Sequence, residues 1–68
     1  MATLAEALDA QSLQWMNDNL PGLVDALEQE IQNGETPGSI YRFVMAHTMR
    51  YELAMRCEQA ARAIQNDS

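Results

Sequence analysis

TPGSIYRFVMAHTMRYELAMRCEQAARAI, residues 36–64, begins as a helix should and then changes its apolar side part-way along. Thr36 supplies an N-cap hydroxyl, and Pro37 takes the first helical position, where a missing N–H loses no bond. Beyond them Ala, Met, Leu, Arg, Glu and Gln prevail, all good helix formers, and apolar and polar residues never alternate over a strand's length. At about 100° per residue, Ile40, Phe43, Val44, His47, Tyr51 and Ala54 share one side of a helix. Leu53, Cys57, Ala60 and Ile64 cluster about 100° away. A supercoil drifts only about 20° per heptad, so winding does not reconcile the two stripes. Either the helix breaks near Thr48, or one long helix serves two neighbours. We expect the second arrangement, a helix over 37–64.

Working outward, Asn33-Gly34 is a helix stop, because glycine takes the left-handed conformation cheaply. Before it, Leu23, Val24, Leu27 and Ile31 form one stripe of an ordinary amphipathic helix. Leu20-Pro21-Gly22 separates that helix from the first, since an interior proline lacks an amide donor and collides with the carbonyl four residues back. We place the second helix at 21–33, with Pro21 in its first turn. The first helix covers 3–20. Thr3 and Glu6 fit a capping box there, and Asp9 followed by Ser12 is a second, weaker start with a possible break near Asp9. The fold class is therefore all-α: a small three-helix domain spanning 1–64, with a frayed tail at 65–68. The second and third helices form an antiparallel hairpin across Gly34, consistent with their short connection.

This chain of 68 residues makes one domain at most, and its core is marginal. Cys57 is the only cysteine, so no internal disulfide reinforces it, and no CxxC or HExxH pattern offers a metal site. Association is the remaining source of stability. The first segment supplies a reason to associate. Leu13, Met16 and Leu20 form one stripe, while Leu4, Leu8 and Trp15 lie nearly opposite if the segment is one helix. Two outcomes stand: Leu4, Leu8 and Trp15 meet a second copy or a partner, or a break near Asp9 returns Leu4 and Leu8 to the core with Trp15 at its edge. The homodimer expectation, a larger helical bundle, rests on the first.

Charge is sorted along the chain. Glu6, Asp9, Asp18, Asp25, Glu28, Glu30 and Glu35 give the front half −7, and Arg42, Arg50, Arg56 and Arg62 against Glu52, Glu58 and Asp67 give the rear +1, for −6 in total. That total opposes non-specific attraction to nucleic acid or anionic membrane. No apolar run approaches the roughly 20 residues of a membrane span. The N-terminus has no secretory signal pattern, and a lone cysteine suits a reducing compartment, so a cytoplasmic location is expected. Glu52→Arg56 and Glu58→Arg62 are spaced i,i+4 in the favoured order.

The residues that carry chemistry are few. His47 needs a partner within hydrogen-bond reach to act as a catalytic base, and Cys57 lies about 15 Å along a continuous helix. We expect a partly buried His47 bonded to a backbone or side-chain oxygen instead. Arg50 lies toward the apolar side. It either snorkels, with its stem packed and its head in water, or it pairs, with Glu28 ahead of Glu30 and Asp25 as its partner, or it anchors on a carboxylate of a binding partner. Asp25, Glu28 and Glu30 read as a solvated face, and Met16, Met45, Met49 and Met55 read first as gap-filling core residues. No Glu-x-x-His motif supports a di-iron bundle. The three glycines are scattered turn residues, not a phosphate loop. We therefore expect no enzyme, no metal and no cofactor.

The expected function is a non-enzymatic protein-protein interaction module, acting as an adaptor, regulator or inhibitor. Binding energy concentrates in aromatic and arginine anchors, which here are Trp15, Tyr41, Arg50 and Tyr51, joined by the apolar Leu4 and Leu8. An acidic mimic occupying a nucleic-acid-binding channel on its target is the alternative, by analogy of size and charge with small phage inhibitors. A helix-turn-helix transcription regulator ranks third, because recognition modules carry a clear basic face and Glu52 interrupts the arginines.

Overall fold

The computed structural model describes residues 2–66, and all its regular structure is helical: α1 (Leu4–Ala7), α2 (Ala10–Asn19), α3 (Leu23–Gln32), α4 (Pro37–Thr48) and α5 (Tyr51–Asn66). The all-α class holds; the helix number is five, not three, because both suspected breaks occur. The radius of gyration is 10.5 Å, close to the roughly 11 Å typical of a self-contained domain of this length.

The first break follows from capping. Thr3 Oγ1 accepts from the Glu6 N–H at 3.3 Å, and Glu6 Oε1 accepts from the Thr3 N–H at 2.8 Å, completing the capping box. Leu8 then becomes extended, and Asp9 opens α2 by accepting from the Ser12 N–H at 2.9 Å. This turn swings α1 against α3 and α5. Leu4 (0% exposed) and Leu8 (6%) enter the chain's own core. The expectation that they meet a second copy or a partner is thereby corrected, and with it the main reason to expect a homodimer. The physical cause is the extended link at Leu8, which abolishes the two-faced helix.

Pro21 also sits differently. It belongs to a tight turn, with the Leu23 N–H donating to the Leu20 carbonyl at 3.0 Å and Gly22 at φ 91°. Proline then glycine at a left-handed third position is the signature of a type II turn, so α3 starts at Leu23. At its far end, Gly34 (φ 88°) donates to the Ile31 carbonyl at 3.0 Å and Glu35 to the Glu30 carbonyl at 3.1 Å, a Schellman stop.

The second break overturns the long final helix. Met49 adopts φ 57°, ψ 23° and ends α4. Thr48 Oγ1 donates to the Val44 carbonyl at 2.8 Å and accepts from the Arg50 N–H at 3.0 Å, so it satisfies the amide that a continuous helix would have used. The bend lets both apolar stripes face one interior. Ile40 and Val44 of α4 meet Leu53, Ala54, Cys57, Ala60, Ala61 and Ile64 of α5. These two helices pack most extensively, and three buried alanines permit the close approach. The principal hairpin is thus α4–α5, rather than one across Gly34. Helix α5 runs to Asn66, two residues past the expected end at Ile64, and Gln65 Nε2 donates to the Glu35 carbonyl at 2.6 Å. The rest of the expected frayed tail, Asp67 and Ser68, lies outside the described residues.

Candidate interaction surface

The α4–α5 elbow gathers side chains that are distant in sequence. Its left-handed Met49 is 81% exposed, and Tyr51, two residues on, is 59% exposed; these are the large apolar residues that the fold leaves most open. The Tyr51 ring meets Tyr41 edge-on, with centroids 6.1 Å apart and planes at 85°. Between Met49 and Tyr51, Arg50 reaches over to α2, where its guanidinium carbon lies 4.4 Å from the centre of the Trp15 ring. Trp15 is half-buried against the core. The result is a connected band: Trp15, Arg50, Tyr51 and Tyr41, with Met49 at its apex. Four of the six residues singled out from sequence as anchors therefore lie together, whereas Leu4 and Leu8 lie in the core.

Beside the band, Ser12, Trp15, Arg50, Glu52, Leu53 and Arg56 line a groove of about 250 Å³ between α2 and α5. Arg56 Nη1 donates to Ser12 Oγ at 3.3 Å and lies 3.8 Å from Asp9 Oδ2. It is thus tied to α2 rather than to Glu52, its expected partner. The Ser12 N–H and hydroxyl, with the charge of Arg56, hold the Asp9 carboxyl below its ordinary value. Glu6 is held down in the same way by the N–H and hydroxyl of Thr3. Arg62 does bond Glu58, at 3.4 Å.

The expected Arg50–Glu28 ion pair does not form. The Glu28 carboxylate instead accepts from the Leu4 N–H, an open amide at the start of α1. An aromatic face within reach gives Arg50 a partner without desolvating its charge, and the open Leu4 amide at the helix start takes the Glu28 carboxylate. The exposure of Met49 and the tie of Arg56 to Ser12 and Asp9 were missed. The Asp9–Ser12 start was a usable hint for Arg56; nothing in the local sequence marks Met49, because its exposure depends on the bend.

The nucleophile and base candidates are kept apart. Cys57 is fully buried, with its thiol 4.0 Å from Met16 Sδ. Burial, helped by the charge of Asp9, pushes the thiol up to about 11, so it is protonated and inert at neutral pH. His47 is exposed rather than partly buried; its Nδ1 bonds the Phe43 carbonyl at 2.9 Å and its ring stacks on Phe43 at 4.3 Å. Among the described residues no group of three or more His, Cys, Asp or Glu side chains is placed to hold a metal, and no helix is long and apolar enough to cross a membrane. No protein-family model, curated protein or solved structure matches the chain.

Proposed function

We propose that this chain is a non-enzymatic protein-binding module whose contact surface is the α4–α5 elbow. The observation that carries the reading is the exposure of Met49 and Tyr51 in continuity with Tyr41, Arg50 and Trp15. Tyr, Trp and Arg dominate the energetics of protein interfaces, and Met adapts its shape to a partner. A chain this small has little area to give, so a compact cluster of such anchors is the economical design. The adaptor, regulator or inhibitor role follows from occupying a partner's surface rather than from chemistry.

Affinity capture from the native lysate tests this, with the wild-type chain and a Met49→Ser/Tyr51→Ser double variant as parallel baits. Both side chains are exposed, so the variant should retain its helicity. Proteins held by the wild type and lost by the variant support the elbow; identical captures from two folded baits would refute it. The acidic mimic remains a second reading because Asp18, Asp25, Glu30 and Glu35 have no basic partner in an ion pair among the described residues. Capture abolished by high salt but indifferent to the double variant would favour it.

A further inference from the structure

We infer that the elbow receives a carboxylate: an Asp or Glu of a partner polypeptide, flanked by an apolar side chain, with Arg50 as its receptor. This rests on the elbow being the contact surface and goes further, by naming what docks there.

The argument starts from how the four arginines are used. Arg42 donates to Ser39 Oγ at 3.1 Å, Arg56 to Ser12 Oγ, and Arg62 to Glu58. Among the described residues, Arg50 is the arginine whose guanidinium has no oxygen partner; its neighbour is the Trp15 ring, 4.4 Å away. With an aromatic ring rather than an oxygen as its neighbour, the Arg50 guanidinium keeps N–H edges that carry no hydrogen bond to an acceptor. Those edges form a planar fork that matches a carboxylate with two parallel hydrogen bonds. Contact with a half-buried indole also restrains a side chain that would otherwise lose much rotamer freedom on binding, which lowers the entropic cost of docking.

The groove beside Arg50 suits one side chain. At about 250 Å³ it falls below the roughly 300–1,000 Å³ of small-molecule sites. Buried Leu53 contributes to its lining, and the two arginines stand along it with Glu52. Arg56 is already engaged by Asp9 and Ser12, which leaves Arg50 as the available cation. Glu52 and the overall charge of −6 oppose a doubly charged phosphate more strongly than a singly charged carboxylate, so the local cation Arg50 has less repulsion to overcome with the latter. The apolar neighbour of that carboxylate would rest on Met49 and Tyr51, the exposed apolar residues adjoining Arg50 in the chain.

The test uses the whole chain, immobilised and selected against a display library of short random peptides. Enriched peptides are synthesised, and their affinities measured by fluorescence anisotropy against wild type, Arg50→Gln, Arg42→Gln and Tyr51→Ser. The expected peptides share an Asp or Glu beside an aromatic or aliphatic residue. Arg50→Gln should weaken them about ten- to hundredfold, and Arg42→Gln should not. Replacing the peptide's acid by its amide should remove the difference between wild type and Arg50→Gln, a readout that holds even if a variant is less stable. Peptides without an acid that still lose affinity to Tyr51→Ser would overturn the carboxylate inference and leave the elbow standing as the contact surface. Peptides indifferent to both Arg50→Gln and Tyr51→Ser, or no enrichment at all, would overturn both.

Discussion

Leu4→Ala separates a residue of the monomer core from a residue awaiting a partner. Leu4 is fully buried, on a four-residue helix that packs against α3 and α5. Truncating such a leucine costs about 2–5 kcal/mol, through lost transfer energy and the cavity left behind. Helix α1 is terminal and short, so it can fray to relieve part of the void, and the lower end, about 2–3 kcal/mol, is expected. A chain of 68 residues has a total stability of roughly 3–10 kcal/mol, so this is a large share of it. At about 4–8 °C per kcal/mol for a domain of this size, Tm should fall by roughly 10–20 °C. Thermal unfolding followed by far-UV circular dichroism at several protein concentrations is the assay. The drop should be the same at every concentration. An unchanged Tm accompanied by weaker self-association in sedimentation would refute the reasoning, by placing Leu4 on an interface.

Glu28→Ala should cost about 1–2 kcal/mol, because it leaves the Leu4 amide without its charged acceptor; amide exchange at Leu4 and neighbouring α1 positions should speed up, and exchange left unchanged would show that the bond contributes nothing. Met49→Gly should raise stability by about 0.5–1 kcal/mol in chemical denaturation, since a left-handed backbone strains any residue with a Cβ while glycine's extra unfolded-state freedom offsets part of the gain. The same variant should bind elbow ligands more weakly, and a loss of stability would contradict the left-handed geometry. Cys57 sets an alkaline limit: its folded thiol is raised to about 11 from an ordinary value of 9.0, so the folded state keeps a proton that the unfolded chain releases. Stability should be intact below about pH 9 and fall by about 2 kcal/mol as the pH rises to 11. Cys57→Ala should flatten that limb of the pH profile, and an equally steep decline in the variant would assign it to other groups.

The elements marked by local chemistry were legible in the sequence. The N-caps and the glycine stop bound their helices because each involves residues within a few positions of one another: Thr3 with Glu6, Asp9 with Ser12, Thr36 with Ser39, Gly34 with Ile31. The Leu23, Leu27, Ile31 stripe was legible for the same reason, one face of one helix being enough to define it. Trp15, Tyr41, Arg50 and Tyr51 were recognisable as anchors by residue type, but their meeting was not. Arg50 reaches Trp15 only because the chain turns at Met49, and Glu28 is taken by Leu4 only because it turns at Leu8.

The sequence by itself determined that the chain is helical, where its punctuation lies, and that its acid and base are unevenly shared. Those properties are set by propensity, capping and count, which need no knowledge of distant neighbours. Only the tertiary structure decided between two readings of each ambiguous segment. A helix with two apolar faces and a bent helix with one have the same residues at the same spacing. What chooses between them is whether the bend brings both stripes onto a shared interior, and that depends on α1, α3, α4 and α5 meeting at once.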